Sequence, residues 1–364
     1  MLQAAPNIWK RDPKRETVMP IGVALIGCGY WGTNYVRVFD ELPDTRVIAI
    51  CEKRAERVAE LQERLPNAAL TTNLDDVLSN ALIQAVVVCT EASSHFEIAK
   101  ACLAAGKHLL IEKPITATSA EAQQLTRYAE AQKRVLMVGH TFIYNAGVRK
   151  VKELLDTRQD EIYYLHASRT NLGPIRRDVN VIWDLAAHDI AIFNYLLDDV
   201  PDWVSGVGVK VLRNCREDVG FACLGYPGNI VAHIHVSWAD PNKAREVVVV
   251  CSERRIVFND LNGMEQVRIY ERGIKSMTNE PTTFGEYRLQ IRDGDILSPR
   301  IEPREPLKDE CRHFLDCIRS EKAPLTGGLD GSNVLLVLEA IDKSVRNSGR
   351  QVEVERHVLQ RATA

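Results

Sequence analysis

The glycine spacing Gly27-x-Gly29-x-x-Gly32 constrains this chain more than any other feature, because it lies between an apolar run, IGVALIG, and a stretch of helical spacing, TNYVRVFDEL. In that setting each glycine has its own task. Gly27 permits a tight turn, Gly29 lets backbone approach a pyrophosphate with no Cβ in the way, and Gly32 lets the helix pack closely on the strand. The free N–H groups at the helix start then face negative charge. Glu52 stands twenty residues beyond Gly32, at the end of a second apolar run, RVIAICE. A carboxylate there accepts both hydroxyls of an adenosine ribose, which favours NAD. Lys53, Arg54 and Arg57 follow at once. Their plain reading is a solvated helix face, but beside a swung-away Glu52 they would hold a 2′-phosphate, so NADP stays the alternative.

Strand-like and helical runs alternate from residue 20 to 140: AVVVCT, HFEIAKACLAA ending at Gly106, KHLLIE, a helix opened by Thr118 and Glu121 as a capping box, and VLMVGH. Buried apolar strands separated by helices of this length predict a Rossmann domain, a doubly wound parallel sheet. Residues 141–364 read differently. One helix, AGVRKVKELLD, and another near 181–197 are mixed with strand-like runs such as WVSGVGVKVL, VGFACLGY, NIVAHIHVSW and REVVVVC, and two further helices follow. That order predicts an α+β domain on a large, open, mostly antiparallel sheet. The whole is α/β. Residues 1–19 read as a flexible extension without the apolar core of a signal peptide.

A formal net charge of −3 gives no electrostatic reason to expect nucleic acid or an anionic membrane surface. No apolar run reaches the length of a membrane span. The nine cysteines are scattered, odd in number and form no C-x-x-C. They suggest a reducing cytoplasm and argue against a disulfide framework or a zinc cluster. His233-x-His235 places two imidazoles on one strand face without an evident third ligand, so no metal is expected.

Four motifs together resemble the glucose–fructose oxidoreductase/inositol dehydrogenase/MocA (Gfo/Idh/MocA) family: GCGYWG, Thr90-x-x-x-x-His95, Glu112-Lys113-Pro114 and Asp184-x-x-x-His188. The likeness runs from about Ile21 to the last helices, and VSWADPNKAR resembles the central sheet segment of nucleotide-sugar members. Glu91 and Ala146 depart from it, each standing where the family usually has proline. The resemblance implies an NAD(P)-dependent sugar oxidoreductase with Tyr30, Trp31, Thr90, His95, Glu112 and Lys113 at the cofactor. It also implies a substrate-binding second domain whose open sheet face makes a homodimer or homotetramer. A nucleotide-linked sugar oxidised or reduced at a ring carbon, C3 for preference, is the leading expectation. A free sugar or inositol, an NAD-dependent glycosidase and a non-catalytic dinucleotide-binding regulator are the alternatives.

Hydride removal from a sugar carbon needs a base for the hydroxyl proton and a donor for the developing alkoxide charge. Lys113 ends the strand KHLLIE at the carboxyl edge of the sheet, where ligands of open α/β folds bind. Asp184 and His188 lie four apart on an apolar helix and project from one face. His188 reads as general base and acid, Lys113 as polariser and Asp184 as support, with the first two roles exchangeable. Asn171, Arg176 and Arg177, in the loop before that helix, are candidate substrate ligands. Paired arginines there suit a carboxylate or a diphosphate.

Overall fold

A computed structural model describes residues 19–64, 68–158, 160–176, 178–212, 215–275 and 290–355. Most of the expected N-terminal extension and Arg177 lie outside them. The first sheet is built from β1 (Ile21–Ile26), β2 (Thr45–Cys51), β3 (Ala69–Thr71), β4 (Ala85–Val88), β5 (His108–Glu112) and β6 (Leu136–Gly139). Between them run α1 (Tyr30–Glu41), α2 (Ala55–Arg64), α3 (Asp75–Leu78), α4 (Ala92–Ala104) and α5 (Ser119–Ala131). All six strands are parallel, in the order β3-β2-β1-β4-β5-β6. Helices cover both faces, so β1 and β4 are buried at every residue, as their unbroken apolar runs require. Strand order reverses between β1 and β4, the point at which open α/β sheets form their ligand crevice beyond the carboxyl ends of the strands. At the start of α5 the capping box forms: the Thr118 hydroxyl accepts from Glu121 N at 3.2 Å while the Glu121 carboxylate accepts from Thr118 N at 3.2 Å.

After α6 (Ala146–Thr157), the chain lays down β7 (Ile162–Leu172), α7 (Ala187–Leu197), β8 (Trp203–Val209), β9 (Val219–Tyr226), β10 (Ile230–Ser237), β11 (Ala239–Cys251), β12 (Arg255–Asn259) and β13 (Val267–Tyr270). Then come the small β14 (Gly273–Lys275), β15 (Gln290–Arg292) and β16 (Ile296–Leu297), α8 (Pro306–Ser320), α9 (Gly328–Arg346) and β17 (Val352–Glu353). Nine of these strands form a second sheet, β16-β13-β12-β11-β7-β10-β9-β8-β17. It is antiparallel throughout except where β10 pairs in parallel with β7. One face, with Leu165, Ala167, Leu224, Ile234 and Val247, is buried in the core that α6, α7 and α9 help to form. The other leaves Tyr164, Val207, Phe221 and Val231 exposed, and the His233 and His235 rings lie over Phe221 there.

The last two helices return to the first sheet. Thr326 O accepts from Val138 N at 2.7 Å, Glu339 accepts from Ser119 N at 2.8 Å, and α8 packs on α1. The region expected as one helix near 181–197 is interrupted: Ile182–Ala186 is a π-helical turn, and the α-helix begins only at Ala187. Such turns widen the helix locally and re-aim side chains, commonly at functional sites.

Candidate active site

The loop between β1 and α1 is shaped for a pyrophosphate. Gly27 has φ +83°, and a Cβ there would meet Thr90 Cγ2 and the Cys89 backbone at 2.8–2.9 Å. A Cβ at Gly32 would lie 2.3 Å from Gly27 O, so helix and turn touch backbone to backbone. Gly29 is the opposite case, since nothing lies within 4 Å of the Cβ position. It also caps α1 without a side-chain hydrogen bond, which leaves the first amides of the helix facing open space. A bare helix N-terminus behind a residue with no side chain fits a dinucleotide phosphate. Tyr30 and Trp31 stand exposed at that helix start with their rings edge to face.

The residues beneath the loop are more engaged than the sequence suggests. Glu52 is buried and accepts from Cys28 N at 2.9 Å, while Arg54 folds over both of its oxygens at 3.0 and 3.2 Å. Burial opposes its charge, but Arg54 and the two backbone amides of Arg54 and Cys28 prevail and hold the carboxyl down at about 2. Arg57, expected at the cofactor, instead donates to Cys28 O at 3.0 Å and to Thr33 Oγ1 at 3.1 Å, bracing the loop from below. Lys53 is exposed. Thr90 is half-buried and accepts from Ser94 Oγ at 2.8 Å. His95, also expected at the cofactor, is buried with Nδ1 at 2.9 Å from Pro114 O and Nε2 at 3.0 Å from Thr90 O. Both ring nitrogens face backbone carbonyls, and burial keeps the ring neutral, so its one N–H donates to one of the two and His95 bridges the segment after β4 and the turn after β5. Glu112 is likewise turned inward, its oxygens taken by Tyr35 Oη and Lys113 N at 3.0 Å each.

Lys113 leaves the end of β5 in the other direction, before a cis Lys113–Pro114 bond. Its Nζ donates to Asp184 O at 3.0 Å and lies 3.4 Å from Asp184 Oδ1, with both side chains largely buried. The π turn aims the Asp184 carbonyl and carboxylate at one ammonium. Arg176 Nη1 reaches the same Oδ1 at 3.1 Å and its Nε holds Asp178 at 3.0 Å. Asn171 donates to Gly173 O within its own loop. His188, on the first turn of α7, sets its ring edge-on to Phe142 at 5.0 Å between centroids. Its Nδ1 is buried and has no hydrogen-bond partner among the described residues. Burial, then the charges of Lys113 and Arg169, push the His188 imidazole well below its usual range, so it is neutral at neutral pH. The structure therefore gathers Lys113, Asp184, His188 and Arg176 in one place, while His95, Arg57 and Glu112 make their contacts with backbone, Thr33 and Tyr35.

Several members of this constellation have no sequence signal. Arg169 lies on β7, buried, with Nη2 at 2.7 Å from Asp189 Oδ1 and its guanidinium 4.3 Å from the Phe142 ring centroid. The pair thus fixes the ring that flanks His188. His140, just past β6, is buried, and neither ring nitrogen has a partner among the described residues. Burial and the charge of Lys113 bring it down to about 4. Trp183 is half-buried and donates through Nε1 to Asp342 at 2.9 Å. Among the described residues no group of three His, Cys, Asp or Glu side chains is placed to hold a metal.

Residues 21–140 match the oxidoreductase family, NAD-binding Rossmann fold, of Gfo/Idh/MocA, and residues 148–257 match the GFO/IDH/MocA C-terminal domain. The chain belongs to the Gfo/Idh/MocA oxidoreductase family. UDP-N-acetylglucosamine 3-dehydrogenase of Acidithiobacillus ferrooxidans is 26% identical over 85% of this chain and 93% of its own length. A crystal structure of that enzyme superposes with a TM-score of 0.78 at 25% identity, covering 90% of this chain and 98% of that one. Myo-inositol 2-dehydrogenase of Thermotoga maritima is 23% identical over 93% of this chain and 99% of its own. Like the rest of the Gfo/Idh/MocA family, the chain is an oxidoreductase with NAD as cofactor. No helix among the described residues is long and apolar enough to cross a membrane.

Proposed function

We propose that this Gfo/Idh/MocA enzyme oxidises or reduces C3 of a nucleotide-linked sugar, with a UDP-linked N-acetylhexosamine as the first candidate. The observation that carries the reading is the meeting of the Lys113 ammonium from β5 with Asp184 and His188 at the junction of the π turn and α7. When bound, NAD supplies the hydride acceptor. The chain supplies the rest. A neutral His188 takes the hydroxyl proton, and Lys113, held by Asp184, donates to the oxygen as charge grows on it. The roles of Lys113 and His188 are exchangeable on geometry alone; burial and the surrounding cations keep His188 in the unprotonated form that a base requires.

Substrate choice rests on two supports. Arg176 stands partly exposed beside Asp184, where a guanidinium can reach a diphosphate, and the 3-dehydrogenase relative spans nearly the whole chain. Arg177 and Asn171 remain candidate substrate ligands. The exposed, aromatic-bearing face of the nine-stranded sheet suits a homodimer or homotetramer, and nine free cysteines suit the cytoplasm.

The test is a screen of UDP- and dTDP-linked sugars, free sugars and myo-inositol with NAD and NADP, followed by absorbance of the reduced nicotinamide. UDP-N-acetylglucosamine with NAD is expected to give the highest kcat/KM. Because His188 protonates only below the usual imidazole range, the rate should hold through pH 6.5 and fall only at lower pH. Turnover confined to myo-inositol would replace the nucleotide sugar, and no net reduction of NAD with any of them would remove the dehydrogenase reading.

A further inference from the structure

Behind Lys113, away from the crevice, three polar side chains meet where water does not reach. Tyr35 Oη, from α1, lies 3.0 Å from Glu112 Oε1 on β5 and 2.9 Å from Glu310 Oε1 on α8. Tyr35 and Glu310 are fully buried and Glu112 nearly so. Two oxygen–oxygen contacts of that length each need a hydrogen, and a phenol carries one. The second must sit on a carboxyl group. Glu112 has a cation close by, since Lys113 follows it in the chain and donates N–H to Glu112 Oε2 at 3.0 Å. Glu310 has none: its Oε2 is buried without a hydrogen-bond partner of good geometry among the described residues, with Thr141 the polar side chain nearby.

We propose that Glu112, Tyr35 and Glu310 form a buried relay of positioning residues that holds one shared proton and one negative charge, and moves that charge toward or away from Lys113. At rest the proton is on Glu310, Tyr35 donates to Glu112, and Glu112 carries the charge that faces the Lys113 ammonium. In the shift the Glu310 O–H bond breaks and its proton joins Tyr35 Oη, while the phenolic proton of Tyr35 passes to Glu112 Oε1. The phenol is regenerated, the negative charge now rests on Glu310, and no proton enters or leaves. The relay rests on the proposed role of Lys113 for its catalytic meaning. The electrostatics agree with the geometry. Burial, with the charge of Glu112, pushes Glu310 up to about 8, and burial also raises Glu112 against the opposing pull of Lys113. The other ionisable groups around the three are Cys28, Cys89, Cys311, Tyr144, Glu305 and Arg176, and burial raises the first three thiols. None of those three thiols carries charge at neutral pH.

Infrared difference spectroscopy of the full chain tests this without any substrate, since only a protonated carboxyl gives the carboxylic-acid C=O stretch. At pH 7 the wild type should show one such buried band, lost in Glu310→Gln, kept in Glu112→Gln and moved in Lys113→Met. No band in the wild-type minus Glu310→Gln difference, or a band indifferent to Lys113→Met, overturns the proposal. Should Glu310→Gln not fold, Tyr35→Phe gives the answer: a displaced band is expected, and an unmoved one overturns it. A kinetic arm uses UDP-N-acetylglucosamine and NAD. Severing the relay in Tyr35→Phe removes the phenol that helps hold the charge on Glu112 beside Lys113 and should move the acid limb of kcat/KM, with NADH binding kept. A slower enzyme with an unmoved limb would mark Tyr35 as structural only. A wild type that leaves UDP-N-acetylglucosamine untouched would sink the substrate reading while the infrared result still stood.

Discussion

Replacing Lys113 with alanine lowers turnover about a hundred- to thousand-fold, the usual cost of losing one donor aimed at developing oxyanion charge. Cofactor affinity should change far less. On the proposed reading the dinucleotide phosphates lie against the Gly27–Gly32 turn and the bare start of α1, whereas the Lys113 ammonium is bonded to Asp184. The variant is also expected to fold, because Asp184 keeps its ion pair with Arg176 when the ammonium is gone. Single-turnover absorbance with UDP-N-acetylglucosamine, beside an NADH fluorescence titration, separates the two effects. A variant that binds NADH normally and turns over within a few-fold of wild type would show that Lys113 is not in the chemistry.

The largest expected effect on stability comes from Asp189→Ala. Arg169 and Asp189 are both almost wholly buried and bond through three contacts between 2.7 and 3.2 Å. Removing the carboxylate leaves a guanidinium in the core with no countercharge, which costs about 3–5 kcal/mol. Removing both charges is a different matter, since a buried pair replaced by apolar residues of similar volume is often neutral. Asp189→Leu with Arg169→Met should therefore recover most of the urea midpoint that Asp189→Ala loses. It should not recover the pH profile. Arg169 is one of the cations that keep His188 neutral, so its loss raises the imidazole and moves the acid limb of the rate to higher pH. A single variant as stable as wild type, or a double variant as weak as the single, would contradict the role given to this pair.

The parts of the molecule that local chemistry dictates were legible in the chain. A strand buried on both faces must be apolar throughout, so β1, β4 and β5 announce themselves, and the glycine spacing places the loop between β1 and α1. The capping box at Thr118 and Glu121 is a contact three residues apart and needs no tertiary knowledge. What sequence reading missed is what packing decides. Arg169 and Asp189 are 20 apart and on different elements, and Tyr35 and Glu310 are 275 apart, so no spacing rule connects them. The π turn at Ile182–Ala186 carries the same apolar pattern as an α-helix, and the Asp184 contact to Lys113 that accompanies it lies 71 residues away in the chain. His95 and Arg57 show the converse. Their positions mark them as cofactor neighbours, and the structure adds backbone carbonyl contacts at 2.9–3.0 Å that no sequence spacing announces. Short pieces such as β3 and α3 are too brief to leave a periodic signal.

The most direct measurement is a crystal structure of the chain with NADH and UDP-N-acetylglucosamine. The account predicts the C3 hydroxyl within hydrogen-bond reach of Lys113 Nζ and an imidazole nitrogen of His188, roughly 2.6–3.2 Å from each. A sugar seated with that hydroxyl far from both, or a site in which Lys113 and His188 face separate spaces, would contradict it.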